Sequence, residues 1–165
     1  MAQVARLGWV LGSASLVGVM AAPALAQSTD NDTLTVQATV GSECEVEGGT
    51  LDFGSYTGEA KNGTATIKYD CNVASDISIA LSAGQSTVED QRLMVHQGNS
   101  TTTMEYQLYR NEGRNQVWGS APERSINLED VTEDEVTVFG HIPGNQSQVI
   151  AGTYSDVVTI TLTSN

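Results

Sequence analysis

The sequence has little of what catalysis or nucleic-acid binding requires. It holds two histidines and seven basic residues against twenty acidic ones, a formal net charge of -13. Such a surface repels phosphate backbones and anionic lipid, which excludes nucleic acid as a partner. Only three prolines are present, none within an alternating run, and aromatic residues make up 5% of the chain. Cysteine occurs twice, at Cys44 and Cys71. No GxSxG elbow, HExxH helix, phosphate-cradling glycine loop or CxxC pair occurs, so no familiar enzyme constellation assembles. Nothing in the residue pattern implies a cofactor.

Long apolar runs are also missing, apart from one stretch at the start. Arg6 is the only charge before Asp30, residues 7–22 are mostly apolar, and Ala24-Leu25-Ala26 offers small residues for cleavage. A basic start, a short apolar run and a small-x-small exit describe a secretory signal peptide over residues 1–26. The run falls short of the roughly 20 residues that span a bilayer, so no membrane anchor is expected after cleavage. Gln27 follows the cut, where a lipid-anchored form would carry Cys. The processed chain, residues 27–165, suits one domain. It keeps six basic residues against twenty acidic, a net charge of -14. Two cysteines in an oxidising compartment predict one disulfide, Cys44 to Cys71.

What the sequence does have is period-two alternation. Leu34, Val36, Ala38 and Val40 alternate with Thr35, Gln37 and Thr39; Ile77, Ile79 and Leu81, and Val158, Ile160 and Leu162, repeat the pattern. Shorter runs occupy residues 65–69, 104–109 and 136–139. Turn-forming clusters separate them, among them Glu47-Gly48-Gly49, Lys61-Asn62-Gly63, Gln97-Gly98-Asn99 and Pro143-Gly144-Asn145. Short strands with one apolar face, divided by Gly/Asn turns, predict an all-β antiparallel sandwich. The acidic stretch 129–135 is the one ambiguous segment, with a turn of helix before the strand at Val136 left open.

Three features bear on chemistry. His96 and His141 lie 45 positions apart with no evident acid partner, which fits surface or half-buried positions better than a catalytic pair. Glu129, Asp130, Glu133, Asp134 and Glu135 lack the spaced ligands and central glycine of a calcium loop, so no metal site is expected. Tyr106, Tyr109, Trp118 and Phe139 offer a sugar-binding platform, although aromatics at strand spacing more often fill the gap between sheets. That platform is the basis of an alternative function, a monomeric secreted binding module such as an adhesin.

Several segments, taken in order, resemble the spore coat protein U domain, the module of archaic chaperone–usher pilins. They are Cys44, Leu51-Asp52-Phe53-Gly54-Ser55-Tyr56, Cys71, Arg92-Leu93-Met94, Tyr106-Gln107-Leu108-Tyr109 and Trp118-Gly119. Val138-Phe139-Gly140-His141-Ile142-Pro143 with Gln146, and Gly152-Thr153-Tyr154-Ser155-Asp156, complete the set. His141 stands where these domains often carry Arg, and Thr163-Ser164-Asn165 lacks a terminal aromatic. The resemblance implies an immunoglobulin-like sandwich short of its last strand, completed by donor-strand exchange. It implies a fibre subunit with a role in adhesion and biofilm, partnered by a periplasmic chaperone, an outer-membrane usher and neighbouring copies. The expected product is exported through the periplasm to a cell-surface fibre. Residues 27–40 are the expected donor, with Leu34, Val36, Ala38 and Val40 facing the groove.

Overall fold

A computed structural model describes residues 30–88 and 91–164. The expected signal peptide lies outside the described residues. Residues from Thr39 onward form one compact unit, whose described residues make seven strands: β1 (Cys44–Gly48), β2 (Lys61–Leu81), β3 (Arg92–His96), β4 (Asn99–Tyr109), β5 (Ile126–Ile142), β6 (Tyr154–Ser155) and β7 (Ile160–Ser164). One 3-10 turn, Pro122–Arg124, precedes β5. No α-helix occurs among the described residues.

β2 organises the rest. Alternation at 65–69 and at 77–81 suggests two strands, yet both runs belong to this single 21-residue element. A straight strand of that length would reach about 70 Å at roughly 3.3 Å per residue, so β2 must bend. It does so where its pairing with β5 shifts, between Asp70 and Ser75 and again before Ile77. Ser75 Oγ donates to Val73 O across the bend (2.9 Å). The odd-numbered residues stay inward on both halves: Ile67, Tyr69 and Cys71 before the bend, Ile77, Ile79 and Leu81 after it.

All strand pairings among the described residues are antiparallel, in the order β1-β2-β5-β4-β3-β6, with β7 also on β2. β5 follows one edge of β2 along most of its length. On the other edge, β1 pairs Ile67 to Cys71 and β7 pairs Ile77 to Leu81. The curled sheet closes on a core that adds Met104, Tyr106 and Leu108 from β4, Val138 and Ile142 from β5, and Trp118. Trp118 is fully buried, with Nε1 donating to Ile79 O (2.9 Å) and its backbone N–H to Leu108 O (2.9 Å). Cys44 and Cys71 are register partners and form the disulfide. Closing that loop stabilises the fold by about 3.5 kcal/mol on the chain-entropy estimate.

Three local expectations are corrected. The acidic stretch 129–135 is part of β5, not a turn of helix: Glu133, Asp134 and Glu135 pair with Asp70, Tyr69 and Lys68. Ladder bonds hold the backbone while the acids face water. Lys61-Asn62-Gly63 opens β2 and is not a turn. Residues 34–40 adopt no strand, and Leu34, Val36 and Val40 are 89%, 82% and 74% exposed. A strand needs a neighbouring edge for its ladder bonds and a surface for its apolar face.

Candidate functional site

An apolar cleft of about 420 Å³ opens in the sandwich. Its floor comes from the inward faces of Ala65, Ile67, Leu81, Leu108 and Val138, and two chain segments flank it. One is a strap over residues 49–56 that follows β1. The other is a lip running from β6 into β7.

The strap has no ladder of its own and is held by side chains. Asp52 Oδ1 accepts from Gly54 N–H (2.8 Å), closing a turn in which Gly54 takes φ 66°, a conformation that favours glycine. Tyr56 donates its hydroxyl to Pro143 O (3.0 Å) and accepts from Gln146 N–H (3.2 Å). Leu51 and Phe53 thereby turn inward onto the core, with Phe53 edge-on to Tyr106 at 6.3 Å.

The lip continues the expected run at Val158, Ile160 and Leu162. Tyr154, Asp156, Val158, Ile160 and Leu162 are half-buried, whereas Ser155, Val157, Thr159 and Thr161 are exposed. It changes partners along its length, pairing β3 through Tyr154 and Ser155, Ser82 through Thr159, and β2 through β7. β7 has β2 as its only strand partner among the described residues. The cleft therefore combines half-open apolar side chains with a strand that is paired along one edge.

One end of the cleft is polar. Tyr106 donates its hydroxyl to Asp156 Oδ2 (2.6 Å), and Asp156 Oδ1 accepts from the N–H groups of Gln85 and Val157 (2.8 Å each). Beneath lies Arg92, 1% exposed. Its Nε and Nη2 donate to Ser82 O (3.2 and 2.8 Å), Nη2 also to Trp118 O (2.8 Å) and Nη1 to Gln107 Oε1 (2.5 Å). Burial lowers the Arg92 pKa, opposed by Tyr106 and Asp156; the guanidinium starts so high that it stays charged. Burial first, then the hydrogen bond to Asp156 and its charge, push the Tyr106 phenol far above its ordinary value.

This shift has a pH consequence. Unfolded, Tyr106 loses its proton near pH 10; folded, it holds on. Above about pH 10 the unfolded state therefore binds fewer protons than the native state, and stability falls as pH rises. Below that value the contribution is fully present. Denaturation midpoints between pH 8 and 12 are expected to drop above about pH 10, with a shallower fall in Tyr106→Phe.

The other candidates lie apart from the cleft's apolar body or inside the core. His96 accepts from Gly98 N–H at Nδ1 (3.0 Å), faces Ala151 O through Nε2 (3.2 Å) and stands edge-on to Tyr154. His141 pairs with Asn62 Oδ1 through Nδ1 (2.7 Å). Each histidine has its own local partners, and no contact joins them. Trp118 and Tyr106 are buried and Tyr109 and Phe139 half-buried, so the four aromatics form no surface platform. Glu133, Asp134 and Glu135 border a second, open groove with Glu45, Glu47, Asp70 and Lys68. Among the described residues no cluster of His, Cys, Asp or Glu is arranged to hold a metal.

Sequence reasoning singled out Leu34, Val36, Ala38 and Val40 but missed Leu51, Phe53 and Asp156 as cleft residues. Their signal was present in the Leu51–Tyr56 and Gly152–Asp156 motifs, without a reason attached.

The family model of the Spore Coat Protein U domain matches residues 30–161. Among solved structures, the chain is similar to one from the CsuC–CsuE chaperone–tip adhesion subunit pre-assembly complex of archaic chaperone–usher Csu pili of Acinetobacter baumannii. There the TM-score is 0.57 at 24% identity, over 75% of this chain and 40% of that one. It is also similar to the P pilus rod subunit PapA, with a TM-score of 0.53 at 16% identity, over 74% of this chain and 99% of that one. The chain thus spans less than half the length of the first of these and nearly all of the second. At such identities the likeness is one of fold, the immunoglobulin-like fold of pilus subunits. No curated protein matches the sequence.

Proposed function

The chain belongs to the Spore Coat Protein U domain family, and from that premise we propose that it is a non-enzymatic structural subunit of an extracellular fibre, its cleft filled by residues 27–40 of a neighbouring copy. In this reading residues 1–26 are removed on export and residues 27–165 form the subunit. Leu34, Val36, Ala38 and Val40 enter the cleft, and Thr33, Thr35, Gln37 and Thr39 face outward. Before assembly a periplasmic chaperone covers the same surface, and an outer-membrane usher passes subunits to the cell surface, where the fibre serves adhesion and biofilm.

The observation that carries the reading is the cleft itself: about 420 Å³, apolar-floored, beside a β7 paired along one edge. Independently, the chain carries an exposed segment with the period-two apolar pattern of a strand. Leu34, Val36 and Val40 together yield about 6 kcal/mol on burial, at about 1.5–3 kcal/mol per large aliphatic side chain. Ladder bonds add about 0.5–1.5 kcal/mol each. Main-chain bonds then supply affinity and alternate side chains supply register, as in other strand additions. Deleting residues 27–40 tests the reading: polymers are expected from the complete exported chain and none from the deleted one. Stable polymers from the deleted chain refute it.

A further inference from the structure

Gly63 of β2 and Gly140 of β5 are direct register partners. A cross-strand glycine pair inside a sheet is unfavourable, since glycine loses more backbone entropy than other residues and offers nothing to pack. Neither glycine has a positive φ, so backbone conformation does not explain them. Space does. A Cβ on Gly140 would stand 2.7 Å from Phe53 Cζ and 2.8 Å from Leu51 Cδ1; one on Gly63 would stand 2.9 Å from Leu51 Cδ2. The two side chains of the strap rest directly on the bare backbone of the pair.

We infer that the Gly63–Gly140 pair is a seat that fixes the height of Leu51 and Phe53 and so holds one end of the cleft open to an entering strand. Along the same face of the ladder the next rungs are Ala65 with Val138 and Ile67 with Val136. Side-chain bulk thus rises in steps from the seat to the floor. At Gly140 the three nearest atoms to an added Cβ all belong to the side chains of Phe53 and Leu51, whereas at Gly63 the backbone oxygen of Asp52 also stands 3.3 Å away. A methyl group at position 140 therefore lifts Phe53 and Leu51 into the space they line without preventing the fold. The seat acts through the strap, so both glycines are positioning residues for strand entry.

The inference rests on the proposed function, and the experiment separates the two. Polymer assembly of the exported chain is followed for the natural sequence, Gly140→Ala, Gly63→Ala, and Gly140→Ala with Phe53→Leu. Gly140→Ala is expected to slow assembly about tenfold or more, the scale of overpacking by one methyl group. Gly63→Ala, which meets only one methyl group below 3 Å, should slow it less. The smaller Leu at position 53 should restore most of the rate in the double variant, which a general loss of stability does not predict. Assembly of Gly140→Ala at the natural rate overturns the inference alone, as does a slow double variant. If the natural chain does not assemble, the proposed function falls and the inference with it.

Discussion

Removing residues 27–40 from the exported chain abolishes polymer formation, leaving residues 41–165 without a strand to give. The expected loss follows from what the segment would bury. About 6 kcal/mol of side-chain transfer, before any ladder bonds, corresponds to more than about a 10⁴-fold fall in subunit association at 1.4 kcal/mol per decade. That energy rivals the whole stability of an ordinary domain, about 5–15 kcal/mol. Size-exclusion of the two forms reads the effect directly: a ladder of polymers for the complete chain, a single low-mass species for the deleted one. Adding a synthetic peptide of residues 27–40 to the deleted form should raise its denaturation midpoint, because a ligand that binds only the folded state stabilises it.

The second large effect is expected at Arg92, away from the apolar body of the cleft. Arg92→Met keeps the stem and removes the guanidinium that ties Ser82 O and Trp118 O to Gln107. Buried carbonyls left without a donor cost about 1–3 kcal/mol each, and Asp156 loses the charge beneath it. We expect a loss of about 3–5 kcal/mol, the scale for breaking a buried charged network from one side. Ser82 also binds the lip, with its N–H donating to Thr159 O and its Oγ accepting from Thr159 N–H, so the lip loosens with it. Urea denaturation of Arg92→Met at neutral pH measures the loss; a midpoint within error of the natural chain contradicts the role.

The fold class was legible because alternation is a backbone-period signal that survives without coordinates. β2's halves, β4 and β7 all announce themselves this way. Where legibility failed, the reasons are local. Leu128 and Val131 are three residues apart, a spacing that suits a helix. In the structure Asp130, at φ 53°, absorbs the extra residue in the β5 ladder, and its N–H donates to Asp76 Oδ1. Asn62-Gly63 reads as a turn because glycine serves both turns and close packing; only the position of Phe53 and Leu51 separates the two uses. The bend at residues 70–75 carries no proline and no Gly-Asn cluster, so two strand runs could not be seen as one.

The site was less legible than the fold. A cleft is a gap between segments far apart in sequence, here 49–56 and 154–164, and no single segment encodes it. The pattern of Leu34, Val36, Ala38 and Val40 was visible, but the same pattern describes any first strand. Arg92 sat inside a recognised run without any sign that it would be buried. Two of its partners, Ser82 O and Trp118 O, are backbone atoms, which leave no trace in side-chain identity.

The most direct test places one cysteine on each side of the proposed contact, in different copies. One exported copy carries Val36→Cys in the donor segment; the other carries Val158→Cys in the lip. Mixed during assembly and oxidised, they are expected to yield a disulfide-linked pair containing one of each. Linkage absent from polymers that otherwise form, or found only when both cysteines share one chain, contradicts strand donation between copies.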